Sequence, residues 1–298
     1  EPGIATGADL VAFAKAVNAG GSTDRWENAS GEVVLLNDID LTELTEWTPI
    51  GQGKATGSPS YNTLTNPFTG VFDGQGFTIK GIRWTFNVEN ETTHLHGLFG
   101  AIKDATIKNL KLGAAGDQIT LAGTSQNVVS AGALGGYAEG STIVNVTNNV
   151  SVILTGDNPD ATLMMLAGIA GCIKSTTIGG ETKDDAVINN GDVKTGRITN
   201  TANGGTGMNI GGICAFTLGA GTKLNYCTNN GEISAPTGRG GGLVGTQVAG
   251  FAAGGGEHGP ERRREGAEHD DCKNECGVHT DKGRIFRGIF RIFDRQTL

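Results

Sequence analysis

The chain has 298 residues, 50 of them glycine, with 6% aromatics and a formal net charge of −8. An acidic chain lacks the basic surface that a phosphate backbone demands, so no nucleic-acid partner is expected. The glycines follow no Gly-X-Y period, which excludes collagen, and the strand-like segments between them exclude a disordered chain.

Residues 8–19 read as an amphipathic helix. Leu10, Phe13, Ala14 and Val17 fall on one face, Thr6 or Asp9 can cap the start, and Gly20-Gly21 supplies the stop. Before a repeat array, such a helix (about 6–20) would cover the first exposed rung. A short buried strand, Val33-Val34-Leu35-Leu36, follows, then Asn37-Asp38-Ile39-Asp40-Leu41. Trp47 is expected to pack under the cap. Residues 52–66 read as a polar loop containing Tyr61, and Phe68–Ile79 reads as strand, Asp73-Gly74 turn, strand. Residues 83–96, with Trp84, Phe86, His94 and His96, read as a second excursion.

From residue 97 a pattern recurs: Gly-hydrophobic-x-Gly, then Ile-x-Asn, then Asn-Gly-x-Ile/Val. Copies open at Gly97, Gly132, Gly168, Gly212 and Gly242, spaced 35, 36, 44 and 30 residues apart, and the fifth is never completed. Periods in this range belong to solenoids or propellers. Three short apolar segments per repeat match one coil of a parallel β-helix better than a four-stranded propeller blade. The predicted fold is therefore all-β, a right-handed parallel β-helix over residues 1–250 with an N-terminal capping helix. Leu98, Leu134, Ile169, Ile213 and Leu243 should stack inside in one column. Right-handedness rests on the general crossover preference. Asn109, Asn145, Asn189 and Asn225 are expected to turn the chain in the left-handed conformation and to hydrogen-bond along the axis. An insertion at Lys174–Asp185 should form a loop on one side.

Residues 4–250 resemble the GLUG-type repeat proteins of bacterial surfaces, particularly those of gut Bacteroidetes. The resemblance rests on the opening helix ending Ala16-Val17-Asn18, on Asn37–Leu41 and on Trp47-Thr48-Pro49-Ile50-Gly51. It extends through Phe68-Thr69-Gly70-Val71-Phe72-Asp73-Gly74 and Gly97-Leu98-Phe99-Gly100. It implies a secreted, often lipid-anchored protein of the adhesin-like kind, at the cell surface or outer membrane. It carries over no catalytic residues.

Composition changes after residue 250. Residues 1–250 hold 14 Lys/Arg against 22 Asp/Glu, whereas residues 251–298 hold nine of each; four arginines precede residue 251 and seven follow. This segment reads as a genuine tail, a fused segment or an out-of-frame remnant of a fifth repeat. Residues 254–282 are expected to be irregular. Arg284, Arg287, Arg291 and Arg295 alternate with an Ile/Phe face at helical spacing, suited to cap the last coil or to meet a membrane surface. Cys172, Cys214 and Cys227 read as small buried hydrophobes, with a Cys214–Cys227 bridge as the alternative. Cys272-x-x-x-Cys276 with His269 and His279, like His94-x-His96, is too sparse a ligand set for an expected metal. No apolar span of membrane-crossing length is present.

For chemistry, Asp38, Asp40 and Asp73 are the candidate acids, with Lys54, Lys80 or Arg83 as basic partners. A glycosidase needs two facing carboxylates; a lyase needs a base and often Ca²⁺, the one cofactor the enzyme reading would bring. Asp38 and Asp40 also fit a half-buried strand, and Asp73-Gly74 fits a plain turn. Tyr61 and Trp84 are the aromatic candidates for stacking on sugar rings. The reading is a non-catalytic, monomeric extracellular protein that binds a host or bacterial glycan or surface protein. A polysaccharide lyase or glycoside hydrolase is the runner-up, and a structural spacer is the third reading.

Overall fold

The computed structural model describes residues 2–54, 63–89, 95–123, 128–155, 163–196, 208–235, 239–247, 273–274 and 278–279. They form a parallel β-solenoid of about five turns behind one short helix. A single coil comprises strands Gly135–Glu139, Thr142–Asn148, Ser151–Leu154 and Leu163–Ala167. Each pairs in parallel with the coil before and the coil after. Tyr137 lies between Ala101 and Cys172, Val146 between Leu110 and Val187, Val152 between Ile119 and Val193, and Met164 between Val129 and Met208. Among the described residues only Gln52–Lys54 with Thr63–Thr65, and the bridge Glu27–Val33, run antiparallel. Propeller blades are thereby excluded.

The expected inner column is present. The amide of Leu98 donates to Ala133, Leu134 to Ile169, Ile169 to Ile213 and Ile213 to Leu243, and all five column residues are buried. Ile50 extends it by one coil, donating to the carbonyl of Leu98. The Gly-hydrophobic-x-Gly motif is not itself a strand, however. Ala133 and Leu134 bend the chain between strands Val128–Gly132 and Gly135–Glu139. Glycine recurs there because the next coil lies against it: a Cβ on Gly132 would meet the carbonyl of Ile169, and one on Gly168 that of Gly212.

The four asparagines do not share one role. Asn109 (φ 54°) and Asn145 (φ 49°) do turn the chain left-handed, and Asn145 donates to Asn109 Oδ1 at 2.8 Å. Asn189 instead aligns with Asn148, inside a strand and wholly buried, and Tyr226 (φ 45°) takes the left-handed position next to Asn225. The third repeat is offset by three residues from the Ile-x-Asn pattern: Val146-Thr147-Asn148 is the segment that pairs with Val187-Ile188-Asn189. Two further ladders result. Asn148, Asn189 and Asn229 run through the interior, and Asn149, Asn190 and Asn230 run outside it.

The helix, Gly7–Asn18, buries Leu10, Phe13, Ala14 and Val17 over the first coil. Thr6 and Asp9 form a reciprocal capping box. At the other end Gly20 (φ 66°) and Gly21 donate to Val17 and Ala16, the Schellman arrangement. Phe13 meets Trp26 edge-on at 5.4 Å and Phe68 at 5.9 Å, so the cap is welded to coils one and two. Burying one such ring contributes about 1.5–3 kcal/mol.

Five other segments differ from expectation. Phe68–Asp73 and Thr78–Lys80 are not a hairpin; both pair in parallel with Phe99–Leu112 on one side, and on the other with Glu32–Val34 and Ile39–Asp40 respectively. The 52–66 loop is based on a short hairpin. Arg83–Asn87 is a full rung rather than an excursion, with Trp84, Phe86 and Val88 turned inward. The Lys174–Asp185 insertion narrows to 179–186, containing one 3-10 turn, since Thr177–Ile178 keeps its rung. In the tail, Lys273–Asn274 and Val278–His279 pair in parallel with Thr228–Asn229 and Ile233–Ser234, so 254–282 is not free of rungs. The reason lies in the spacing: Cys272-x-Asn274-x-x-x-Val278 repeats Cys227-x-Asn229-x-x-x-Ile233. Residues 284–295, with their Ile/Phe face, lie outside the described residues.

Candidate functional site

The three candidate acids do not form one cluster; each is spent on its own neighbours. Asp38, exposed, accepts the Thr78 amide of the next coil at 2.8 Å. Asp40, also exposed, accepts from Thr42 Oγ1 (2.6 Å) and Thr42 N (2.9 Å) and lies 3.7 Å from Lys80. The Thr42 hydroxyl, with its amide and Lys80, holds the Asp40 carboxyl below the usual carboxylate range. Of the proposed basic partners, Arg83 is exposed at the start of its strand.

Asp73 is different. It is 4% exposed, at the end of Phe68–Asp73, and accepts from Gln75 N at 2.8 Å and Asn109 Nδ2 at 3.0 Å. Lys108, its register partner one coil on, places Nζ 3.5 Å from Asp73 Oδ2 and 2.7 Å from Glu32 Oε1. Three successive coils therefore contribute Glu32, Asp73 and Lys108 to one charged cluster. The Lys108 bond, helped by Asn28, lowers the Glu32 carboxyl; the Glu32 bond, reinforced by Asp73, raises the Lys108 ammonium. Sequence reasoning singled out neither Glu32 nor Lys108. The separation of Asp73 and Lys108, 35 residues, equals one repeat period and was the available signal.

Beside this cluster a groove of about 470 Å³ opens between the first two coils, within the range of small-ligand sites. Val34, Leu35 and Leu36 line its apolar side with Phe77, and Asn28, Ala29, Gln75 and Pro2 complete the lining. Both amide residues are tied to the charged cluster. Asn28 Nδ2 donates to Glu32 Oε2 at 3.2 Å, and the backbone N–H of Gln75 donates to Asp73 Oδ1. Gln75 sits at φ 53°, unusual for a residue with a Cβ, and the Asp73 bond holds it there.

Trp84 forms no surface platform. Trp84 is 1% exposed and stacks on Trp47 with centroids 5.0 Å apart, because the strict alternation Arg83-Trp84-Thr85-Phe86 turns it into the core. Trp47 is buried as expected, its Nε1 donating to Gly97 and Leu98. Tyr61 and His94 lie outside the described residues. His96 is buried against Phe86, with ring centroids 4.6 Å apart.

Elsewhere, Lys194 bridges Asp192 (2.9 Å) and Glu232 (2.8 Å), and Lys174 pairs with Glu139 at 2.9 Å. Burial raises the carboxyls of Asp192 and Glu139, but Lys194 and Lys174 outweigh it and both end low. Cys172, Cys214 and Cys227 are buried thiols, and the Cys214–Cys227 bridge is not formed; burial pushes the Cys172 and Cys214 thiols up. Cys272 and Cys276 lie outside the described residues. Comparison of the chain with protein-family models, curated proteins and solved structures returns no match.

Proposed function

We propose that this solenoid is a non-catalytic extracellular surface protein that binds a glycan or a surface protein. The observation that carries the reading is the state of its carboxylates. Glu32, Asp40, Glu139 and Asp192 are all held below their usual range by bonds within or between coils. A general acid working near neutrality needs the opposite, a carboxyl raised by its surroundings. Charges tied together in this way make a rigid display surface, and an open groove lies beside one of the clusters. The resemblance to GLUG-type proteins points the same way and adds the cell surface and a lipid anchor to the proposal, which takes the protein as a monomer.

One observation favours the enzyme reading: two carboxylates, Glu32 and Asp73, flank Lys108. A lysine whose ammonium is stabilised by two carboxylates is a poor base, which counts against a lyase. The test is a panel of neutral and acidic polysaccharides scored for binding, new reducing ends and unsaturated products. Binding without turnover is expected. Turnover abolished by Asp73→Asn would make the protein a polysaccharide-active enzyme instead.

A further inference from the structure

We infer that the groove between the first two coils is a binding site for a single neutral pyranose, the terminal sugar of a glycan. This deepens the binding reading above and rests on it. The lining fits such a ring on three counts. Phe77 is half-buried, packed on the core below and open to the groove above, so it offers a fixed aromatic surface for the C–H face of a sugar. Gln75 is exposed, and its side-chain amide makes no hydrogen bond to the described residues, which leaves it both donor and acceptor for ring hydroxyls. The volume, about 470 Å³, suits one small ligand rather than a polymer laid along the stack.

Two further features argue that this shape is built. Gln75 occupies a left-handed backbone position between two glycines, where glycine would be easier. The local strain places an amide at the groove, and Asp73, itself locked by Lys108, holds the turn. On the opposite side Asn28 is fixed by Glu32, bonded to the same Lys108. Glu32, Asp73 and Lys108 are thus positioning residues: one charged cluster sets both sides of the groove. That cluster also selects among sugars. Two carboxylates against one ammonium leave a negative charge in excess beside the groove, which repels a uronate and tolerates a neutral ring.

The experiment uses the full chain with methyl glycosides of glucose, galactose and mannose, and with glucuronate and galacturonate as acidic probes. Binding is read by ligand-observed NMR and calorimetry. Gln75→Gly is the primary variant, because glycine accepts this backbone position and the fold survives. At least one neutral glycoside is expected to bind in preference to either uronate. Gln75→Gly should weaken it about tenfold with an unchanged thermal midpoint, as loss of a ligand hydrogen bond does. Phe77→Leu should weaken it as well. If neutral sugars or longer glycans bind and both variants bind as tightly as the parent, the site lies elsewhere and only the broader reading stands. A preference for uronates overturns the inference. If neither glycosides nor polysaccharides bind at all, the inference and the glycan arm of the proposed function fall together.

Discussion

Asn148 donates its side-chain amide to Asn189 Oδ1 at 2.7 Å, one coil further along the axis, and both residues are wholly buried. Asn189 repeats the act toward Asn229, also at 2.7 Å. Each amide satisfies the next, and each also closes its own turn: Asn148 accepts from Val150 N and Asn189 from Gly191 N.

Replacing Asn189 by Ala removes its interior bonds to Asn148, to Asn229 and to the Gly191 backbone, so a cost of about 3 kcal/mol or more is expected. Asn190→Ala breaks the parallel ladder on the surface, where water replaces the lost partner, and should cost less than about 1 kcal/mol. Denaturant unfolding of the two variants measures the difference. Equal costs would mean that the inner ladder contributes no more than the outer.

Lys108 governs a pH response. Glu32 has a lowered carboxyl, so its contribution is present above the unfolded pKa, about 4.3, and is lost as pH falls through the folded value. Lys108 has a raised ammonium, so its contribution is present below about 10.4 and is lost as pH rises through the folded value. Lys108→Met should therefore flatten both limbs of the stability curve, by less than about 1 kcal/mol because the pair is partly exposed. Thermal midpoints across the acid and alkaline ranges check this; unchanged limbs in the variant would contradict it.

Trp84 should act as a core residue. Trp84→Ala is expected to cost about 3–5 kcal/mol. All three tryptophans are at most 8% exposed, so the folded protein should show blue-shifted emission that iodide barely quenches. Strong quenching in the native state would place Trp84 back at the surface.

Truncation after Phe251 removes Lys273–Asn274 and Val278–His279 and uncovers the edges of Cys227–Asn229 and Ile233–Ser234. Lower thermal stability and self-association are expected, because exposed strand edges recruit other chains. A chain ending at Thr280 keeps both strands and should behave like the full protein. If the two truncations are indistinguishable, these pairings add nothing.

The solenoid was legible in the chain because its period, its inner column and its capping helix are all local patterns of apolar spacing. Three things were harder to read. Trp84 and Phe86 read as an excursion because no glycine motif precedes them, although the alternation from Arg83 to Val88 is that of a rung. The tail's rung was hidden by the arginine-rich stretch before it, although Cys272, Asn274 and Val278 keep the repeat's spacing. The groove depends on Asn28, Gln75 and Phe77 meeting across coils, and nothing in their own neighbourhoods marks them. Glu32 and Lys108 stand 76 residues apart, a distance that only the stacked register makes short.

The interior asparagines also bear on how such a chain can lengthen. Each rung gives one N–H to the coil ahead and receives one from the coil behind, so a whole duplicated coil arrives with its own donor and its own acceptor. Inserting it leaves no polar group stranded at either junction. A gene copying error of one full period is therefore tolerated where an insertion of a few residues into a strand is not. The irregular spacings of 44 and 30 residues show where partial changes have been absorbed, in the links between strands rather than in the rungs.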